Sequence, residues 1–186
     1  MIVFLSTVAP SNAAVIVDVV QGASSLTFKY SGSIDTSTVS AVGPTLVGGA
    51  SFSSQQSYFQ NDARMIYNTG STSPSVVLGN GGTVAATSVK PGSSAFHFDF
   101  INKTLGLPTG YVSGSAIDGE VVIFGNLAYH GMAPGTYSYS WASGAESVTL
   151  NVFTSAVPEP ASMSIFAIGS LVAGYRLHRR KNKMAS

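Results

Sequence analysis

"AFHFDFI", Ala95 to Ile101, is the stretch that decides the fold. Phe96, Phe98 and Phe100 alternate with His97 and Asp99. In a strand, successive side chains point to opposite faces of the sheet, so this alternation predicts one buried aromatic face and one wetted polar face. On that reading His97 and Asp99 lie on the same side, two residues apart.

The period of two recurs along the chain. "SLTFKYS" sets Leu26, Phe28 and Tyr30 against Thr27 and Lys29. "TYSYSW" sets Tyr137, Tyr139 and Trp141 against Ser138 and Ser140, and "SVTLNVF" groups Val148, Leu150 and Val152. "VIVDVV" (15–20) and "EVVIFG" (120–125) are more uniformly apolar and suit central strands. Gly and Pro punctuate the intervals at Gly43-Pro44, Gly48-Gly49, Lys90-Pro91-Gly92, Asp118-Gly119, Pro134-Gly135 and Ser143-Gly144. Short strands between such turns predict an all-β domain over residues 15–155, a β-sandwich or jelly roll. No apolar spacing of three and four persists between Ala14 and Val157, so no helix is expected there. "GNGG" (79–82) reads as a hairpin turn. Residues 134–153 read as the last hairpin, turning at Ser143-Gly144-Ala145. Trp141 is expected in its core, with an exposed sugar platform as the alternative.

The chain has 186 residues, 45% of them hydrophobic, with ten Phe, eight Tyr and one Trp. That apolar content separates it from Ser/Gly-rich disordered linkers, which lack enough apolar surface to offset chain entropy. The formal charge of +1 hides a division. Between Val15 and Ser155 four bases (Lys29, Arg64, Lys90, Lys103) face seven acids (Asp18, Asp35, Asp62, Asp99, Asp118, Glu120, Glu146), a net −3. A weakly acidic body has no electrostatic footprint for nucleic acid. The absence of Cys excludes disulfides, thiolate metal sites and Cys nucleophiles.

Both ends carry transit features. Ile2 to Val8 is a short apolar run broken by Pro10 and followed by small residues to Ala14. It reads as a signal peptide over residues 1–14, cleaved after Ala13 or Ala14, with Ser11 or Asn12 at position −3. The usual basic start is missing, since the first base is Lys29. Ala161 to Leu177 is an apolar segment of 17 residues, a marginal length for a single transmembrane helix, which needs about 20. Arg176, Arg179, Arg180, Lys181 and Lys183 follow as a stop-transfer cluster, which places the preceding domain outside the cytoplasm. Ahead of the segment stand Pro158, Glu159 and Pro160. Two prolines fix φ and remove N–H donors, which keeps this strip out of helix and sheet.

Residues 156–183, with the Pro-Glu-Pro triplet, apolar helix and basic tail in that order, resemble a PEP-CTERM sorting signal. The resemblance implies a Gram-negative bacterium that makes exopolysaccharide. It implies export through the secretory translocon, transient residence in the inner membrane, and recognition by an exosortase. Delivery to the cell surface or extracellular matrix would follow. Pro158, Glu159 and Pro160 are then a motif read by another enzyme, not a catalytic site. The function this suggests is a structural or adhesive protein of an exopolysaccharide biofilm matrix. The alternatives are a secreted polysaccharide hydrolase and a tail-anchored periplasmic binding module.

Catalytic and cofactor chemistry is sparse. His97 and Asp99 form a His-x-Asp pair able to ligate a metal or share a proton, with His130, Asp118 and Glu120 as completing groups. Asp99 and Glu120 are the carboxylates a glycosidase would need across a cleft. Wet-face alternation explains His97 and Asp99 without either role, so neither a catalytic nor a metal site is expected, and no cofactor. Asp35, Asp62 and Asp118 fit no calcium-loop spacing. No Gly-x-Ser-x-Gly elbow is present. Asn102-Lys103-Thr104 reads as a strand-end turn.

Overall fold

The computed structural model describes residues 13–44, 49–62 and 65–154. Residues 1–12 and 155–186 lie outside the described residues, and with them the expected signal-peptide run, Pro158, Glu159, Pro160, the apolar segment and the stop-transfer bases. The chain divides into two units, residues 1–154 and 155–186, and the described structure belongs to the first.

Twelve strands form one sheet among the described residues. In chain order they are β1 (Ala13–Gln21), β2 (Ser25–Gly32), β3 (Ser40–Pro44), β4 (Ala50–Ser53), β5 (Tyr58–Asn61) and β6 (Met65–Asn68), then β7 (Thr83–Val89), β8 (Phe96–Asp99), β9 (Thr104–Leu107), β10 (Ile117–Phe124), β11 (Gly135–Trp141) and β12 (Glu146–Phe153). Their order across the sheet is β11-β12-β1-β2-β10-β7-β4-β5-β8-β9-β6-β3. All neighbours are antiparallel except β1 and β12, which pair in parallel from Ala13↔Glu146 to Val20↔Phe153.

The all-β expectation holds, with a different arrangement of layers. A sandwich has two separate sheets, whereas here β7 pairs with β10 on one side and β4 on the other, so the ladder is continuous. The sheet curls until its halves face each other. A string of rings joins them. Phe28 on β2 lies 4.8 Å from Phe52 on β4 and 5.1 Å from Phe59 on β5. Phe59 then meets Phe98 at 5.5 Å, Phe98 meets Phe100 at 5.3 Å, and Phe100 meets Tyr139 on β11 at 5.2 Å. Offset and edge-on pairs of this kind add to the burial of ring surface. Val15, Val17, Val19, Leu26, Val121, Ile123, Val148 and Leu150 complete the core from the other half.

The six stretches read as strands from the sequence form β1, β2, β8, β10, β11 and β12, whereas β3, β4, β5, β6, β7 and β9 were not read from it. Val15, Val17 and Val19 are fully buried and Ile16 is exposed, so the uniformly apolar β1 has one inner face and one outer face. The same holds for β10, where Phe124 is exposed. The final hairpin is as expected, and Trp141 is core: it is 4% exposed and its Nε1 donates to Thr38 Oγ1 at 3.0 Å.

Two local expectations fail. A single helical turn, α1 (Leu127–His130), is capped by Asn126, which accepts from the Tyr129 N–H at 2.9 Å, and is closed by Gly131 in the left-handed region at φ 61°. One turn is too short to leave a helical period in the sequence. "GNGG" does not turn a hairpin. β6 and β7 are not partners, and the segment packs on α1, with the N–H groups of Asn80 and Gly81 donating to the His130 carbonyl at 3.2 and 3.1 Å. At Gly79 a Cβ would stand 2.4 Å from that oxygen, which requires glycine.

Candidate functional site

His97 and Asp99 sit on β8 with their side chains on the side opposite the phenylalanines, as alternation predicts. The surface they occupy is not simply wet. Asp99 is 7% exposed. It accepts from the N–H groups of Ile101 at 2.8 Å and Asn102 at 2.7 Å, and from Asn102 Nδ2 at 2.7 Å. The carboxylate is thereby committed to the β8–β9 turn. His97 Nε2 lies 3.5 Å from Thr104 Oγ1, and its ring centre is 6.2 Å from that of Tyr58. Burial drives the imidazole down to about 4, outweighing the opposing influence of the Asp99 charge. At neutral pH this imidazole is uncharged and weakly basic, a poor match to general-base work near pH 7.

Beside them, Lys103 is 8% exposed. Its Nζ donates to the carbonyls of Pro74 and Phe100 and lies 5.5 Å from the Tyr139 ring centre. Burial pushes its ammonium below the ordinary lysine range, against the nearby Asp99 charge. Nothing local in the sequence signals this role, because the Asn-Lys-Thr turn looks solvated. Its only correlate is a left-handed backbone at Lys103, φ 56°, which appears once the turn is built.

Glu120 is not brought to this pair. It lies on β10, and β7, β4 and β5 intervene between β10 and β8. Its carboxylate lies 4.0 Å from Lys29 Nζ on the outer face. Asp118 is exposed on the same strand. His130 is fully buried on α1, with Nε2 3.0 Å from the Phe124 carbonyl and its ring edge-on to Phe52. Asp99 and Glu120 therefore stand on strands separated by three others in the sheet, Asp99 committed to its turn and Glu120 beside Lys29. Asp35 caps a 3-10 turn, accepting from the Ser37 N–H at 2.9 Å and Ser113 Oγ at 2.8 Å. Among the described residues no three His, Asp or Glu gather in a group able to hold a metal ion.

Two further features were not singled out in the sequence. The first is a crevice of about 490 Å³ between Gly70–Ser73 and Ser140–Gly144. Its walls are hydroxyls and backbone. Ser71 Oγ donates to the Ser140 carbonyl at 2.5 Å, and the Ser140 N–H donates to Ser73 Oγ at 3.3 Å. These bonds occupy the open edge of β11 with side chains, one way of blunting an edge strand. The second is Glu146, 3% exposed at the start of β12. Its Oε2 accepts from the Asp35 N–H at 3.3 Å. Burial raises its carboxyl above the usual range, and the Asp35 charge adds to the rise.

Among the described residues no helix is long and apolar enough to cross a membrane. Comparison with known proteins finds the PEP-CTERM protein-sorting motif at residues 156–181. No curated protein and no solved structure matches the chain. The chain thus carries the sorting motif that its Pro-Glu-Pro, apolar and basic sequence resembles, and that motif implies an exosortase as processing partner and export through the membrane toward the cell surface.

Proposed function

We propose that this protein is an exported, non-catalytic β domain that works by contact in an exopolysaccharide matrix, after an exosortase has acted on its C-terminal signal. The observation that carries the reading is the sorting motif at residues 156–181. Pro158, Glu159 and Pro160 are what the exosortase reads. The segment of about 161–177 holds the chain in the inner membrane in transit, and Arg176 to Lys183 hold its end in the cytoplasm. The molecular role is supported by the character of the domain. Its outer strand faces are rich in Ser and Thr, its charges are few, and the titratable groups singled out for catalysis are spent on turns or on separate parts of the sheet. Such a surface suits neutral, hydroxyl-rich polymers.

The test follows the full chain in a host that has an exosortase and in the same host without it. Intact-mass analysis of surface-extracted protein should show loss of the residues after the Pro-Glu-Pro triplet only where the exosortase is present. Arg176 to Lys183 retained on surface protein would instead support the anchored binding module. Purified surface protein should retain matrix polysaccharide in a pull-down and release no reducing ends from it. Turnover that disappears in Asp99→Ala and Glu120→Ala would replace the adhesive reading with the hydrolase.

A further inference from the structure

The described part of β1 starts at Ala13, which stands opposite Glu146 on β12. The two residues are register partners in the parallel ladder, followed by Ala14 and Ser147. Around this buried carboxylate the charged neighbour is Asp35, of the same sign, whose N–H donates to it at 3.3 Å. Among the described residues no cation lies within ion-pair distance of Glu146. Lys29 is with Glu120, and Lys103 is spent on two carbonyls. A buried carboxylate with one like-charged neighbour and no counter-ion is an unfavourable arrangement, which a cation at the head of β1 would relieve.

The sequence offers two cleavage points there, after Ala13 and after Ala14, and the structure distinguishes them. The Ala14 carbonyl accepts from the Ser33 N–H at 3.2 Å. Gly32, at φ 148°, lies so close that a Cβ would stand 1.9 Å from the same oxygen. Cleavage after Ala14 removes that closure. Cleavage after Ala13 keeps it, and puts small residues, Ala13 and Ser11, at positions −1 and −3.

We propose that the exported chain begins at Ala14 and that its α-ammonium is the counter-ion of the buried Glu146. A signal peptidase would hydrolyse the Ala13–Ala14 bond during translocation, before the strand is buried. Water gives its hydroxyl to the Ala13 carbonyl carbon and a proton to the Ala14 nitrogen. The new carboxylic acid releases its proton and the amine takes one up. The cation arises at the Ala14 nitrogen, one residue along β1 from the Ala13 that stands opposite Glu146, a step of about 3.3 Å.

The inference rests on the export reading, and its test separates the two. Full-length chain is secreted from a bacterial host, and the amino terminus of the exported protein is sequenced. Ala14 is expected. An exported protein with any other terminus overturns this inference and leaves export standing, whereas chain retained in the cytoplasm with its leader intact removes both. The ion pair is read by the α-amine. It should titrate above the ordinary range of about 7.7–8.0, and at pH 8 it should react about tenfold more slowly with an amine-selective reagent than in Glu146→Gln. Should that variant fail to fold, the same chain unfolded in denaturant is the reference. An α-amine that reacts equally fast in both states overturns the pairing.

Discussion

The long-strand half of the sheet (β11, β12, β1, β2, β10) and the short-strand half (β4, β5, β8, β9, β6, β3) share one core and are held in different ways. Strands of seven to nine residues make up the first, and strands of four or five make up the second. Long ladders satisfy most of their own N–H and C=O groups. Short ones leave bends under the surface whose backbone groups need other partners. Eight of the ten buried polar residues among the described residues fall between Ser51 and Lys103, in the short-strand half and its connections. Ser54 Oγ accepts from the Gly81 N–H at 2.9 Å and donates to the His130 carbonyl at 2.7 Å. Ser57 Oγ accepts from the Leu78 N–H at 2.9 Å, and Thr69 Oγ1 donates to the Lys103 carbonyl at 2.8 Å. Asn61 Nδ2 reaches across to the Tyr30 hydroxyl at 2.8 Å. One half is fastened by ladder, the other by side chains that stand in for it.

Four experiments test that contrast, in descending order of effect. Phe59→Ala removes the ring that joins the halves, in contact with Phe28, Tyr30 and Phe98. It should lower stability by about 3–5 kcal/mol in urea denaturation. Acid should act on the short-strand half through His97. The unfolded imidazole binds a proton below about 6.5, while the folded one does so only below about 4. Between those values the unfolded chain carries more protons, so stability falls as pH falls. The loss should approach roughly 3 kcal/mol, and His97→Gln should flatten that part of the profile. Asp99→Ala leaves two turn N–H groups without their acceptor and should cost about 1–3 kcal/mol. Asp99→Asn, which retains one acceptor oxygen, should recover part of it. Last, Lys29→Met breaks the exposed pair with Glu120 on the long-strand half and should change stability by less than about 1 kcal/mol. A larger effect from Lys29→Met than from Asp99→Ala would mean that outer-face side chains fasten the long-strand half as well.

The same division governs what the sequence revealed. In the long-strand half, Leu26, Phe28 and Tyr30 face inward with Thr27 and Lys29 outward, as their alternation predicts, and the last hairpin turns where Ser143 and Gly144 stand. In the short-strand half only β8 was legible in the sequence, and there the faces were right and the environment was not. Alternation put His97 and Asp99 together on the side away from the rings, yet a wet-face reading of Asp99 fails because the β8–β9 turn folds back over it. Lys103 and Ser54 carry no local sign of burial, since a lysine in a turn and a serine after a strand are ordinary surface residues. Glu146 looked like one of seven scattered acids, and its isolation depends on Ala13, 133 positions earlier in the chain.

The sequence by itself determined β1, β2, β8, β10, β11 and β12, because the alternation of side chains is fixed by the geometry of each residue and its immediate neighbours. It also determined the sorting motif, because a signal read as an extended strip, an apolar run and a basic end is encoded linearly. Only the tertiary structure decided that β7 joins the halves into one sheet, that β1 pairs with β12, and that Asp99, Lys103 and Glu146 are buried. Those outcomes depend on which distant segment covers each side chain. Burial of a polar group is a property of the space around it, and that space exists only after the chain has closed on itself.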